Sequence, residues 1–546
     1  MNILKNHKDI LLYILIVLAI TLPWFFNRGY LLFIDFSFGP SVSLNFLSSD
    51  ALTTLIIKTL SLFYFYDFGE KLFISLIFLT VFIGGKKVVE NFSDDKIIIF
   101  LSSLFFLFNP FIYDRIMYGQ IGIVLAFGFF CIGLGYLLKF LKSTSLKNTF
   151  LSGLFFGLSI QLSIHFAVFF AILLIALTFL LILRKYGTKK IFILLLIIFT
   201  IVFLINLNHI ISIIFYPPII SFLKEGIQSK DIEAFKTSGN SESNLAFNVL
   251  MMSGFWGKDQ MRYLDLSTQK ENWGRSFLFL SPLIIIGFVL ALKNRGLRPI
   301  SLILIIIFFL SVVLAMGIKS SFFGQITYWL FDKFVFYRGF RETQKWVSLI
   351  VIVYGIFLTI GLNWLFGKKN IKNNKLIVAT FITGVIIMQA PFLLFGLRGQ
   401  IKPVDFPSDW YEAESLILKD QEIKDQKCSG KILILPWHMY MSFKWTKRVI
   451  FNPSKHFFSC PTIQGTNMEW GGIYDNSQNK DSQKVVEWIN GSHNIKEIGR
   501  EGLNIEYVIL FKELDWQKYQ WLDSVDYLTL QKELETIKVY KLIEND

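Results

Sequence analysis

Apolar runs long enough to cross about 30 Å of hydrocarbon recur along the chain as far as residue 397 and then cease. Eleven of them predict membrane-spanning helices: Ile10–Phe26, Leu72–Gly85, Ile97–Tyr113, Ile121–Leu138, Phe150–Ile164, Phe166–Leu183, Ile191–Leu207, Phe277–Leu292, Ile300–Met316, Trp346–Phe366 and Leu376–Phe395. Phe150–Ile164 is short and carries Gln161, so with the next run it predicts a hairpin turning at His165. The first run reads as a retained span, because it leads into Pro23-Trp24-Phe25-Phe26 with no small-residue cleavage site.

The connections between runs set an orientation. With the N-terminus inside, the short loops around Lys86-Lys87, Lys139/Lys142/Lys147, Lys189-Lys190, Lys293/Arg295/Arg298 and Lys368-Lys369 all fall on the cytoplasmic side. All are basic, as the positive-inside rule requires. Eleven spans then put the C-terminus outside, together with three longer and more polar loops at 27–71, 216–275 and 317–345. Ser48–Tyr66 in the first loop is half apolar with Lys58 inside it, which suits a helix lying at the interface. The tail, 398–546, predicts a soluble extracytoplasmic α/β domain. Lys431–Leu435 and Tyr507–Phe511 read as short strands, Ile537–Leu542 as an edge strand, and Trp410–Asp420 and Lys480–Asn490 as helices.

Composition agrees with the pattern. Hydrophobic residues make up 53% of the 546 positions, 59 of them Phe, and only 17% are charged. Soluble domains carry about 25% charge, so this chain needs lipid as a solvent. The formal charge of +14 is then a topological signal rather than a nucleic-acid footprint, and no nucleic-acid-binding motif accompanies it. Of the three cysteines, Cys131 lies within an apolar run, whereas Cys428 and Cys460 share the tail and leave open whether they pair.

Candidate chemistry concentrates beside the outer ends of the spans. Asp35 stands in Leu31-Leu32-Phe33-Ile34-Asp35-Phe36, an apolar setting just past the first span. A carboxylate there suits a general base taking a proton from a hydroxyl, or else caps a turn in water. Asn109-Pro110-Phe111-Ile112-Tyr113-Asp114-Arg115 with Tyr118-Gly119-Gln120 forms the second cluster. Its Asp114 and Arg115 suit a metal, a phosphate, or a structural pair with each other. The third is Tyr337–Trp346, where Arg338, Arg341 and Lys345 surround Glu342 on the side where cations are disfavoured. Guanidinium forks and an ammonium there suit a phosphate headgroup; snorkelling onto ordinary anionic lipid is the plainer alternative. His165 suits a proton carrier or a backbone-satisfied imidazole. Pro436-Trp437-His438 and Glu469-Trp470-Gly471-Gly472 suit sugar stacking or a domain core. Nucleotide-binding and hydrolase motifs are missing from the sequence.

This layout resembles the GT-C class of membrane glycosyltransferases, within it the YfhO-like and arabinofuranosyltransferase-like multispanning proteins of prokaryotes. The resemblance rests on the acidic first loop (Asp35), the Asn109–Gln120 stretch, the Arg341-Glu342-Thr343-Gln344-Lys345-Trp346 stretch and the tail pattern Tyr507–Leu542. The third is similar to an R-x-P-x-K-aromatic theme with Thr343 in place of Pro. The resemblance implies a polytopic α-helical membrane fold and transfer of a sugar from a polyprenyl-phosphate donor to a glycan, lipid or protein acceptor, with inversion. It implies Asp35 as the base, and Arg341, Lys345, Arg338 and Arg115 as holders of the departing lipid phosphate. Asp114, Gln120, His165 and Glu342 would support them. Some members of the class use a divalent metal ion; no dense carboxylate cluster in this sequence demands one. The other readings are a flippase of lipid-linked glycans and a noncatalytic envelope-assembly protein.

Overall fold

The computed structural model describes residues 3–41, 51–62, 65–183, 188–215, 229–266, 273–423, 428–470, 473–475, 480–492, 495–499 and 502–543. Two compact units emerge. The first comprises Met1–Pro23, Phe46–Thr53 and Phe73–Gln400; the second comprises Trp24–Asn45, Thr54–Leu72 and Ile401–Asp546.

Every apolar run read from the sequence is helical. The first ten helices are α1 (Ile3–Phe25), α2 (Ala51–Ser61), α3 (Tyr66–Val89), α4 (Lys96–Leu107), α5 (Pro110–Tyr118), α6 (Ile121–Lys142), α7 (Leu146–Leu162), α8 (His165–Leu183), α9 (Thr188–Ile205) and α10 (Leu207–Phe215). Then follow α11 (Ser229–Ala234), α12 (Glu242–Leu250), α13 (Phe277–Lys293), α14 (Arg298–Met316), α15 (Gly324–Lys333), α16 (Val347–Gly367) and α17 (Lys375–Ile387). Among the described residues four helices are long and apolar enough to cross a membrane, or six if each of two bent pairs is one span; five shorter apolar helices accompany them. Apolar side chains also cover outward faces, Ile175 at 70%, Phe192 at 68% and Phe381 at 67% exposure. Such surfaces need lipid around them.

Two expected spans are broken. The run Ile97–Tyr113 bends by 41° between α4 and α5. Pro110 has no N–H to give to α4 and forces its predecessor out of the helical region, so Asn109 sits at φ −150°, ψ 158°. Its side chain serves both ends of the break. The amide nitrogen donates to the carbonyls of Phe105 at 3.0 Å and Phe106 at 2.9 Å, and the oxygen accepts from Ile112 N at 3.1 Å. The run Leu376–Phe395 bends by 77° after α17, where Pro391 starts a new turn. The third helix begins earlier than expected, at Tyr66, and takes in Asp67, Glu70 and Lys71.

Helix α16 is the axis of the first unit. Within its most apolar 18 residues, Thr343–Gly367 has 78% buried, against 33% for the corresponding stretch of Arg298–Lys319, which faces outward. Close approach makes this possible: a Cβ on Gly287 of α13 would meet the Phe357 carbonyl oxygen at 1.9 Å, and one on Gly361 of α16 would meet the Leu283 oxygen at 2.0 Å. Small residues bring membrane helices together in this way.

In the second unit five strands form one sheet: β1 (Lys431–Leu435), β4 (Thr462–Ile463), β7 (Ile505–Phe511), β8 (Leu528–Glu533) and β9 (Ile537–Leu542), in the order β4-β1-β7-β9-β8. The strands β4, β1 and β7 are parallel, β9 runs against β7, and β8 against β9. Ile537–Leu542 is therefore an inner strand, and Leu528–Glu533 is the edge. The alternation along Ile537–Leu542 reads as an edge strand, but Lys538 reaches Asp523 at 2.7 Å and Lys541 reaches Asp420 at 2.6 Å. Two hairpins flank the sheet, β2–β3 (Tyr440–Phe443 with Arg448–Phe451) and β5–β6 (Met468–Trp470 with Ile473–Asp475). Helix α18 (Ser408–Ile423) and the shorter α19 (Lys480–Glu487) occur where the periodicity put them. Cys428 and Cys460 form a disulfide; Cys131 is a buried thiol in α6.

Candidate active site

The cation cluster assembles wholly within the first unit. Arg115, near the end of α5, is 1% exposed. Its Nη1 donates to Gln120 Oε1 and to Glu342 Oε2, while Gln120 Nε2 reaches the two Glu342 oxygens at 3.3 and 3.2 Å. Gly119, at φ +85°, turns the chain so that Gln120 follows α5 back toward Arg115. Asp114, although adjacent in sequence, does not pair with Arg115, because neighbours on a helix point about 100° apart. It accepts instead from Tyr263 Oη at 2.9 Å, beside the Lys258–Asp265 pair at 3.9 Å.

The segment before α16 supplies the rest. Two short 3-10 turns, Val335–Arg341 and Thr343–Trp346, flank Glu342. Thr343 Oγ1 meets Thr237 Oγ1 at 3.2 Å, and Gln344 Nε2 donates to Phe235 O at 3.0 Å and Thr237 Oγ1 at 2.8 Å. With the backbone pinned, Lys345 Nζ lies 3.0 Å from His165 Nε2, and that nitrogen lies 2.7 Å from the Gly339 carbonyl oxygen. The Ser163 hydroxyl stands 3.1 Å from His165 Nδ1. Arg341 sets its guanidinium 4.9 Å from the Phe235 ring centre, and Arg115 sits 4.6 Å from that of Phe255. Arg338 turns elsewhere: its Nε donates to Phe331 O at 3.3 Å.

Glu342 is thus the common counter-ion. Burial raises its pKa, but the charges of Lys345, Arg115 and Arg341 and the Arg115 hydrogen bond outweigh that, holding the carboxyl well below the usual range. Three cations face this one carboxylate, so an anion would complete the cluster.

Just beneath lies an apolar groove formed by α6, α8, α14 and α16, lined among others by Phe130, Phe169, Ile172, Ile307 and Leu349. Phe169 joins groove to cluster: its ring packs edge-on against Phe340 at 5.8 Å and Trp346 at 5.0 Å. His165, one helical turn earlier, packs on Phe340 at 4.9 Å.

Asp35 belongs to the second unit. It is half-buried and accepts from Tyr440 Oη at 3.0 Å. The segment around it is tied to the tail, Phe451 N donating to Phe33 O at 3.3 Å and Ser41 N to His456 O at 2.9 Å. The start of α3 holds the chain leading to it, as Gly29 N donates to Asp67 at 3.1 Å, Leu31 N to Glu70 at 2.9 Å, and Lys71 Nζ to Asn27 O at 2.7 Å. In the tail, Trp437 is 3% exposed within the sheet core, so it offers no stacking face; His438 pairs with Asp515 at 2.9 Å. Gly471 and Gly472 lie outside the described residues.

Sequence reasoning missed Tyr263, Thr237, Phe235 and Tyr440. Tyr263, Thr237 and Phe235 lie in irregular segments and Tyr440 opens strand β2, and no spacing signals which distant side chain they meet. Among the described residues no group of three or more His, Cys, Asp or Glu side chains is arranged to hold a metal.

This arrangement sits on the GT-C membrane fold. The chain superposes on the arabinofuranosyltransferase AftD from Mycobacteria with a TM-score of 0.62 at 12% identity, over 98% of this chain and 40% of that one. It also superposes on the oligosaccharyltransferase AglB from Archaeoglobus fulgidus, solved with an inhibitory peptide and a dolichol-phosphate, with a TM-score of 0.50 at 13% identity, over 94% and 70%. The chain thus spans about 40% of the length of AftD. No family model and no curated protein matches the sequence.

Proposed function

We propose that this chain is a membrane glycosyltransferase that takes a sugar from a polyprenyl-phosphate donor and passes it to an extracytoplasmic glycan, lipid or protein acceptor. The observation that carries the reading is the junction at Phe169, where a wholly apolar groove meets a cluster of three cations and one carboxylate. A molecule with a long apolar tail and a phosphate head fits both halves at once. AglB was solved with such a molecule, a dolichol-phosphate.

In the proposed reaction Asp35 accepts the proton of an acceptor hydroxyl. The oxygen attacks the anomeric carbon from the face opposite the phosphate. The anomeric C–O bond breaks, its electron pair leaves with the polyprenyl phosphate, and configuration inverts. Arg341 and Lys345 neutralise the departing phosphate, with Arg115 setting the field from behind Glu342 and Arg338 at the margin. The lipid tail in its groove fixes the head, so binding energy remote from the reacting bond orients it. All eleven apolar runs, from Ile10–Phe26 to Leu376–Phe395, cross the bilayer in this reading, with the tail domain and the Asp35 loop outside the cytoplasm.

The test is turnover of purified protein with a synthetic polyprenyl-phosphate sugar and glycan acceptors. Free polyprenyl phosphate should accumulate, Asp35→Asn should reduce the rate by about 10² or more, and Arg341→Ala with Lys345→Ala should do likewise. Movement of labelled lipid between leaflets with no bond broken would instead establish a flippase.

A further inference from the structure

At the far end of the helical unit, where α3 and α6 finish and α4 begins, lies a second cavity of ≈ 750 Å³. The cation cluster stands at the other end of these helices, beyond α5. The cavity size falls within the range of small-molecule sites, and its chemistry is divided. Its lining holds Lys86, Lys96 and Lys139 with Glu90 and Asp94, together with the apolar Leu12, Phe100 and Leu376. Glu90 is already engaged by two lysines, Lys86 at 3.7 Å and Lys87 at 3.3 Å. The lining thus carries three lysines, Lys86, Lys96 and Lys139, against two carboxylates, a net positive charge. Lys86 also sits 5.3 Å from the Tyr13 ring centre, which holds its ammonium toward the cavity's α1 wall. Of the apolar residues, Leu12 is 42% and Leu376 74% exposed, so α1 and α17 open the cavity sideways onto a greasy surface.

We propose that this cleft binds one anionic phospholipid drawn from the surrounding bilayer, its phosphate against Lys96 and Lys139 and its acyl chains along Leu12, Phe100 and Leu376. A soluble anion would find the lysines but leave the apolar wall wet. A zwitterionic lipid would fill the wall but bring a choline cation to a positive site. Basic hollows between membrane helices select acidic headgroups by this combination. The site lies apart from the sugar-transfer machinery, and the proposal stands whether or not that reading does.

The experiment is thermal unfolding of the full chain in mild detergent with phosphatidylglycerol, phosphatidylcholine or inorganic phosphate added in turn. Binding to the folded state raises the melting midpoint. Phosphatidylglycerol should raise it, while phosphatidylcholine and inorganic phosphate should give little or no shift. Lys96→Glu with Lys139→Glu should bring the phosphatidylglycerol shift down to the phosphatidylcholine level. Thr380→Trp, which fills the cavity from an exposed position without touching a charge, should do the same. Lys293→Glu with Arg295→Glu, on another basic loop, should retain the shift. An equal shift with phosphatidylcholine, a full shift with inorganic phosphate alone, a full shift kept by the cavity variants, or its loss in the Lys293/Arg295 control would each overturn the proposal.

Discussion

Replacing Glu342 by Gln would leave Arg115 buried with its hydrogen bonds but without its counter-charge. Breaking a buried pair from one side costs about 3 kcal/mol or more, so the variant should melt well below the wild type in a matched detergent. The pH dependence has a definite sign. A carboxyl held below its unfolded pKa of about 4.3 contributes its stability in full above that value and loses it as pH falls through the depressed folded value. Glu342 should therefore supply the same stabilisation at pH 7 as at pH 5, and the gap between wild type and Glu342→Gln should narrow only in stronger acid. A gap that closes already near pH 6 would show that Glu342 is not the counter-ion described.

At the scale of elements, Asn109 does the work of two caps. Asn109→Ala removes three hydrogen bonds at a buried break and should cost about 2 kcal/mol, readable as a lower melting midpoint; a cost near zero would mean the 41° bend does not depend on it. The Cys428–Cys460 disulfide closes a loop with a sequence separation of 32. Replacing both cysteines by Ser should cost about 2–4 kcal/mol, seen as earlier proteolysis of the tail. Hydropathy made the helices legible because burial in lipid is a local property of each segment. The breaks were less so: Pro110 and Pro391 were visible, but a single apolar count over Ile97–Tyr113 averages across them. The inner position of Ile537–Leu542 was hidden because its lysines find acidic partners from other parts of the chain.

At the scale of the whole molecule, what the sequence concealed is long-range pairing. Arg115 and Glu342 are 227 residues apart, Trp24 and Ile401 377, and Tyr440 and Asp35 405. Arg115, Glu342 and Asp35 were individually conspicuous as charges in apolar surroundings, yet the residue each one meets was not. For the same reason the loop expected to belong with the spans, 27–71, divides differently, much of it joining the tail in the second unit. The proposed orientation makes its own demand. A cysteine introduced at Lys147 should be reached only by a membrane-permeant thiol reagent in intact cells, and one introduced at Ser524 by an impermeant one. The reverse pattern would place the tail domain in the cytoplasm and remove the acceptor side from the proposed reaction.

The most direct measurement is a density map of the protein in lipid nanodiscs with a bound polyprenyl phosphate. The phosphate should appear beside Arg341 and Lys345, with the isoprenoid chain descending past Phe169 between α8 and α16. A phosphate seated elsewhere, with the groove filled only by ordinary lipid, would contradict the account.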